Sequence, residues 1–584
     1  MLKDKIKKII TAAINKACEG KKLGSLESAT QVDIIIEKPK NPDFGDFSIN
    51  VSPYARAAKI APPLIAQNLA EFLTSTSFEV NIIGGFMNFK LSDGFFNEAL
   101  QNILTKKATF GANTSGGKEK VMLEYISANP TGPLHIGHGR WACMGSALAN
   151  LLKFSGYDIY QEFYINDAGN QINNLSHSLF IRVMQELGEN INFPTDEAEV
   201  KNFYTGEYLI QTAKDFIAQN PETAAKIKQG KKHSEFKEEL ADFAKKYMLD
   251  EQKRLLQKLN VEFDNYYSEL DLHRQNKVVE CLEKLKQTGH TFEKDGALWF
   301  KSTTFGDDQD RVLIKNDGAY TYLSADIAYH IDKMQRGFER LINIWGADHH
   351  GYVARIKASL EAFSYDPTHL EVLLGQLVNL LIDGEQVRMG KRKKMITLED
   401  LVDEVGADAT RFWMIMRSID TTLDFDVDLA KSKADENPVF YVQYAHARAC
   451  SIIRNALAKR VDTVNKIELE PAFSQDEIDE TFNTKEFSPL YDKKDKAYSA
   501  TKTLLLKLDS FEDMILSAAK LRAPYLIAKY AQELAGDFHR FYSVARVITE
   551  DKDLSKSRIA VVLSVQTVLK NALDLLGVSA PEAM

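Results

Sequence analysis

The chain has 584 residues, a formal net charge of −9, and a composition that is 44% hydrophobic and 27% charged. Such a length is too great for one hydrophobic core, so two to four domains are expected, with the composition of an ordinary soluble globular protein. The acidic balance argues against a non-specific nucleic-acid binder, although a local basic surface remains compatible with an RNA partner. The first ten residues are basic and amphipathic and lack the apolar core and cleavage site of a signal peptide, so they read as a surface helix. A strand is expected over residues 32–37, a turn over 42–46, a helix over 65–73 and a strand pair over 78–83 and 86–91. Together, residues 1–110 form a small α+β unit. Residues 106–120, with Ser115-Gly-Gly-Lys118, read as a linker.

A run of β-branched and aromatic residues over 121–126 predicts a buried strand. Apolar residues at helical spacing (Met144, Ala147, Leu148, Leu151, Leu152) then predict a helix that ends at Gly156. Between the two lies Ser127-Ala-Asn-Pro-Thr-Gly-Pro-Leu-His-Ile-Gly-His138. His135, Gly137 and His138 therefore stand where a strand hands over to a helix N-terminus, a place that favours phosphate through free amides and the helix dipole. The two imidazoles share a face and can donate to a phosphoryl oxygen as its charge grows. Gly137 lets a nucleotide approach the backbone. Read alone, four such residues also fit a helix start with two solvated histidines.

A second strand over 157–165 continues a parallel, doubly wound plan, with ligands beyond the carboxyl ends of the strands. Residues 172–290 read as a helical, charged insertion, after which strands resume at 298–301, 311–314 and 341–345. Downstream, Arg388-Met-Gly-Lys-Arg-Lys-Lys394 follows the turn Asp383-Gly384. It reads as a positive loop able to clamp a triphosphate and stabilise departing pyrophosphate, or as a solvated basic run. From residue 435 the pattern is long helices, with Pro438 just inside a helix start, which predicts an α-helical bundle; residues 461–495 read as a polar connection. No stretch approaches 18 consecutive apolar residues, so no membrane span is expected. Cys18, Cys143, Cys281 and Cys450 are scattered, which points to a reducing compartment without disulfides or structural zinc. His349 and His350 are adjacent and lack helical metal-ligand spacing, so no protein-bound transition metal is expected.

The pair of elements resembles the signature of class I aminoacyl-tRNA synthetases: His135-Ile-Gly-His138 matches literally. Arg388-Met-Gly-Lys-Arg392 is similar to the Lys-Met-Ser-Lys-Ser loop, with Arg388 at the first lysine, Gly390 at the serine and Lys391 at the second lysine. Residues 124–134, Tyr164-Ile-Asn-Asp-Ala-Gly-Asn-Gln171, Trp345-Gly-Ala-Asp-His-His-Gly-Tyr352, residues 437–448 and the last twelve residues resemble the bacterial arginyl-tRNA synthetases over nearly the whole chain.

This resemblance implies a Rossmann-like catalytic domain over residues 118–430, carrying the insertion. It implies a tRNA-contacting role for residues 1–110 and an anticodon-binding role for residues 435–584. The implied reaction activates L-arginine with ATP and Mg2+, then transfers it to the terminal adenosine of tRNA(Arg). His135, His138 and Lys391 are the expected catalytic groups. Gly137, Asp348, His349, Arg388 and Met389 are expected at ATP. Glu124, Ser127, Asn129, Tyr322, Asp326 and, more weakly, Glu269 are expected at arginine, whose planar fork needs buried carboxylates. Tyr441, Tyr444 and Arg448, with His446 nearby, suit unstacked anticodon bases, although aromatics at that spacing also fit a core. A cytoplasmic monomer is implied. A small-molecule nucleotidylyltransferase using the same His-x-Gly-His site is the alternative, and a non-catalytic tRNA-binding relative is a third reading.

Overall fold

The computed structural model describes residues 2–20, 34–37, 39, 41, 44–73, 78–230, 232–387, 397–458, 460–462, 467–469, 471–481, 483–484 and 486–584. Near the N-terminus, strands β1 (Ile36–Glu37), β2 (Phe47–Asn50), β3 (Phe78–Ile83) and β4 (Phe86–Leu91) form an antiparallel sheet in the order β1-β2-β4-β3. The helix Pro62–Ala70 packs on β3 and β4, and the helix Leu2–Glu19 packs on it in turn. The strand expected over 32–37 appears as β1. Residues 32 and 33, and Pro42 and Asp43 of the expected turn, lie outside the described residues.

Residues 106–120 are packed, in contrast to the flexible linker their composition predicts. The amides of Asn113, Gly116 and Lys118 donate to the carbonyls of Phe154, Ser155 and Gly156 at 3.2, 2.8 and 2.9 Å. A Cβ on Gly116 would stand 2.4 Å from the Tyr157 ring, so glycine here serves close approach. Phe110 stacks on Phe511 at 6.0 Å, and Asn571 donates to the carbonyls of Lys107 and Phe110, which ties this segment to the C-terminal helices.

The central sheet holds β5 (Lys120–Glu124), β6 (Asp158–Ile165) and β7 (Asn265–Ser268). After them come β8 (Thr291–Lys294), β9 (Ala297–Phe300) and β10 (Arg311–Ile314), then β11 (Arg340–Gly346) and β12 (Leu370–Gly375). Its order is β12-β11-β5-β6-β7, and all four pairings are parallel. The order in which strands are added reverses between β5 and β11, so the crevice beyond their carboxyl ends is the switch point where doubly wound sheets bind ligands.

Two sequence expectations are corrected here. The insertion does not run unbroken over 172–290. Its helices Asn170–Glu186, Tyr208–Gln219 and Lys237–Lys258 bury a core of their own around Leu179, Phe216 and Leu240, but β7 then returns to the main sheet as its edge. Four half-buried residues carry too short an apolar pattern to betray such a strand. The strands expected at 298–301 and 311–314 do not continue the parallel sheet. They are β9 and β10 of a separate antiparallel sheet, set by the turn Asp295–Gly296 with φ of +53° and +73°. Only the strand expected at 341–345 joins the main sheet, as part of β11.

Beyond β12, β13 (Val378–Ile382), β14 (Glu385–Val387) and β15 (Leu423–Asp426) make a small sheet. The C-terminal helices Pro438–Leu457, Tyr498–Asp509, Phe511–Lys520, Tyr525–Val544 and Lys552–Leu576 pack as a bundle. The last of these is long and apolar enough to cross a membrane by composition, but 78% of its most apolar window is buried inside the protein. It is the core helix of the bundle. Arg411 joins the bundle to the end of the helix Lys237–Lys258: its buried guanidinium donates to the carbonyls of Leu576, Leu259 and Asn260 at 2.6–3.1 Å.

Candidate active site

His135 is the N-cap of the helix Ile136–Phe154. Its Nδ1 accepts from the His138 amide at 3.2 Å, and His138 Nδ1 accepts from the His135 amide at 3.3 Å. The rings stack with centroids 3.5 Å apart. Burial lowers the pKa of His135; burial and the neighbouring His135 push His138 down to about 3. Both rings are therefore neutral near pH 7, and with each Nδ1 accepting, each Nε2 carries the proton and is left to donate. The expectation of free helix amides needs amending, because His138's amide is already capped. A Cβ on Gly137 would stand 3.0 Å from His135 Cε1, so this glycine clears the stacked ring.

Around the switch point, Trp141 lies against both adjoining strand ends. A Cβ on Gly375 would fall 2.2 Å from its indole nitrogen, and one on Gly346 would fall 3.4 Å from its ring. The Asp348 carboxylate also folds over Gly346, 2.4 Å from that Cβ position. Asp348 and His349 follow β11 in a short 3-10 helix, with side chains 82% and 55% exposed and 3.6 Å apart, open to a ligand.

The basic run 388–394, with Arg388, Met389 and Lys391, lies outside the described residues. Its flanks are described. Val387 ends β14, and Leu398 on the far side donates to the Leu134 carbonyl at 3.1 Å, one residue before His135. A Cβ on Gly139 would stand 2.4 Å from Leu398 Cδ1, so the flank docks directly on the signature helix.

On the other side of β5 the site is acidic. Glu124 ends that strand, buried, with one oxygen paired to Lys333 Nζ and the other accepting from Ser127 Oγ at 2.8 Å. Lys333 is itself fully buried, 3.2 Å from Asn343 Oδ1 and 4.2 Å from the Tyr329 ring centre. Asp326 sits one turn into the helix Tyr322–Gln335 and accepts from the Tyr352 hydroxyl at 2.7 Å. Burial pushes its carboxyl up to about 7, against the pull of that hydroxyl. Glu269, at the start of the helix after β7, is also pushed to about 7, by burial and then by the charges of Asp326 and Asp167. Neither carboxylate pairs with a lysine or arginine among the described residues; the nearest cationic group to Glu269 is His273 at 4.0 Å, whose own pKa is lowered by burial.

Tyr322 shares the face of Asp326 but is 72% exposed. The tyrosine that meets Asp326 is Tyr352, which the sequence reading quoted without a role. Asn129 bonds Gln171, and the buried Gln252 fixes the loop by donating to the carbonyls of Asn129 and Gly132. Lys333 also escaped the sequence reading. The signal was present, because Asp326, His330 and Lys333 fall at i, i+4 and i+7 of one helix.

In the C-terminal bundle, Tyr441, Tyr444 and Arg448 come together with Asp435, His539 and Tyr542 around a groove of about 550 Å³. Arg448 lies 4.4 Å over the Tyr542 ring. His446 is not part of it: it is buried, and its Nδ1 lies 2.9 Å from the Pro581 carbonyl, where it holds the C-terminal tail.

A parallel switch-point sheet with paired histidines at its first crossover is the arrangement expected of a class I aminoacyl-tRNA synthetase core. The model "tRNA synthetases class I (R), catalytic domain" matches residues 99–422, "Arginyl tRNA synthetase N terminal domain" residues 4–91, and "DALR anticodon binding domain" residues 442–584. The chain is 43% identical to arginine–tRNA ligase 1 of Halalkalibacterium halodurans, covering 100% of this chain and 99% of that one. It is 40% identical to the arginine–tRNA ligase of Bacillus subtilis at the same coverage. A putative arginyl-tRNA synthetase structure from Campylobacter jejuni superposes with a TM-score of 0.72 at 36% identity, over 85% of this chain and 100% of that one. The chain belongs to the arginyl-tRNA synthetase family. Full-length membership, with both flanking domain models matched, displaces the small-molecule nucleotidylyltransferase alternative.

Proposed function

We propose that the chain activates L-arginine with ATP and esterifies it to tRNA(Arg), with arginine held between the helix Tyr322–Gln335 and the start of the helix Glu269–Arg274. The observation that carries this reading is the group of acids beyond β5 and β6: Glu124 is paired with Lys333, while Asp326 and Glu269 have no lysine or arginine partner among the described residues. A guanidinium supplies the missing charge and a planar donor fork for two carboxylates at once, which a compact ammonium does not. Glu124, Ser127, Asn129 and Tyr322 complete the arginine site in this reading.

The arginine carboxylate attacks the α-phosphate of ATP and pyrophosphate leaves. The Nε2–H groups of His135 and His138 donate to phosphoryl oxygens as their charge grows, and because the rings are neutral they do so without consuming a proton. Gly137 lets the nucleotide lie against the helix start, and Asp348 and His349 receive the adenosine. Arg388, Met389 and Lys391 clamp the triphosphate, a role supported by the docking of Leu398 beside Leu134. Magnesium arrives on the phosphates rather than in a protein cage. The tRNA's terminal ribose hydroxyl then attacks the acyl carbonyl of the resulting arginyl-adenylate; the acyl–phosphate bond breaks, AMP leaves with the hydroxyl's proton passing to the solvent or phosphate, and positioning supplies most of the rate. Residues 1–110 contact the tRNA, and Tyr441, Tyr444 and Arg448 offer the anticodon loop a stacking surface. The enzyme works as a cytoplasmic monomer without a membrane partner.

The test is ATP–pyrophosphate exchange against all twenty amino acids, with and without total tRNA. Exchange with arginine alone supports the reading, and dependence on tRNA adds gated activation. Exchange with another amino acid, or none under either condition, removes it.

A further inference from the structure

The buried pair Lys333–Glu124 is an unusual expense, since taking two charges out of water is costly unless both are fully bonded. Here they are: Lys333 also meets Asn343 and the Tyr329 ring, and Glu124 also accepts from Ser127. Asn343 in turn contacts His330 Nε2 at 2.8 Å, and His330 Nδ1 lies 2.7 Å from the Asp326 carbonyl. A continuous set of polar contacts therefore runs from β5 through β11 to the backbone of Asp326. Apart from Ser127, in the loop after β5, every member belongs to the sheet or to one helix.

We propose that Lys333 is a positioning residue of arginine recognition: its ammonium holds Glu124 and the Asp326 turn in place and cancels one pocket charge, so that the guanidinium is received by Asp326 and Glu269. This inference rests on the arginine reading above and adds a residue to it. The charged neighbours bear it out from each side. From β6 and the loop after it come Glu162, paired with Arg336, and Asp167, paired with Lys245 at 3.4 Å. From the helix Tyr322–Gln335 comes Asp332, paired with Lys277 at 2.6 Å, and from beyond β11 comes Tyr352 with Arg355 over its ring. Those acids have cations of their own. Asp326 and Glu269 face the buried Tyr164, the half-buried Tyr352 and the neutral His330 and His273. Lys333 favours ionised Asp326 and Glu124 opposes it, so the pair together leaves the aspartate's charge to the substrate.

The experiment is steady-state aminoacylation with the full chain from pH 6 to 9, varying arginine and ATP separately. Lys333→Met is compared with Lys333→Arg and with the double variant Glu124→Gln/Lys333→Met. Lys333→Met is expected to raise KM for arginine about tenfold or more while KM for ATP stays within about twofold. It is also expected to move the acidic limb of kcat/KM for arginine upward by about half a pH unit or more. Lys333→Arg keeps the limb in place, and the double variant, which removes both charges, returns it towards the wild type. A limb that does not move in Lys333→Met, or KM values for arginine and ATP that rise together, would overturn the proposal. If Lys333→Met does not fold, the double variant decides: a limb displaced as far as half a unit overturns the proposal, and a wild-type limb supports it. Wild-type charging with arginine is read in the same assay, so failure of the arginine reading is seen separately.

Discussion

Asp326 shows how one side chain sets the pH behaviour of the site. Its carboxyl stands at about 7 because burial and then Glu124 disfavour its charge, and that of Glu269 does so because burial and then Asp326 and Asp167 disfavour its own. A guanidinium needs them ionised, so kcat/KM for arginine should fall as pH drops below about 7, while KM for ATP changes little; a pH–rate profile checks this. The stability sign is opposite. With folded pKa values above the unfolded carboxylate range, the empty protein holds protons that the unfolded chain has lost, so these two groups cost stability as pH rises from about 4 through 7. Bound arginine recovers that cost, and its thermal upshift should therefore be larger at pH 8 than at pH 6 in a melting experiment. Asp326→Asn should raise KM for arginine by about a hundredfold, the scale of losing one side of a buried charge pair (about 3 kcal/mol). An unchanged KM for arginine would place the guanidinium elsewhere.

The helix Ile136–Phe154 owes its start to two histidines that cap each other, an arrangement requiring glycine between them. Gly137→Ala would press a methyl within 3.0 Å of His135 Cε1. It should lower kcat about tenfold or more through the displaced imidazoles, with circular dichroism unchanged, since alanine suits a helix. Native activity in that variant would mean the ring stack is not required. At this scale the strand, turn and helix from residue 121 to Gly156 were legible, because an apolar run, a turn and 3.6-residue periodicity follow one another without ambiguity. Edge strand β7 was not, because its four half-buried residues carry no pattern, and the insertion was read straight through it. Nor was the packing of residues 106–120: glycine codes equally for freedom and for close approach, and only the Tyr157 ring tells them apart. Asp326 was found from resemblance and helical spacing; its partners Tyr352 and Lys333 were not, because the first comes from another element and the second was not traced along the same face.

Across the whole molecule, the last residues act as a clasp. Gly577 ends the helix Lys552–Leu576 at φ +68°, where a Cβ would meet Arg411 Nη2 at 2.3 Å. Asp408 then accepts from the Ser579 amide at 3.0 Å, and Arg454 donates to the Glu582 carbonyl at 2.8 Å. This physical role accounts for a recognisable chain ending that periodicity alone left unexplained. Arg411→Met strips the donor from three backbone carbonyls, at the end of the last bundle helix and after the helix Lys237–Lys258, and should cost about 3 kcal/mol of stability, read as a lowered melting temperature. A melting temperature equal to the wild type would show that the bundle and the helix Lys237–Lys258 hold together without it.

The most direct measurement is which amino acid the purified chain esterifies to total tRNA, read by charging assays with arginine and lysine and repeated with Asp326→Asn. The account predicts arginyl-tRNA from the wild type, no lysyl-tRNA, and loss of charging at low arginine in the variant that high arginine restores. Charging with lysine, or a variant as active as the wild type at low arginine, would contradict it.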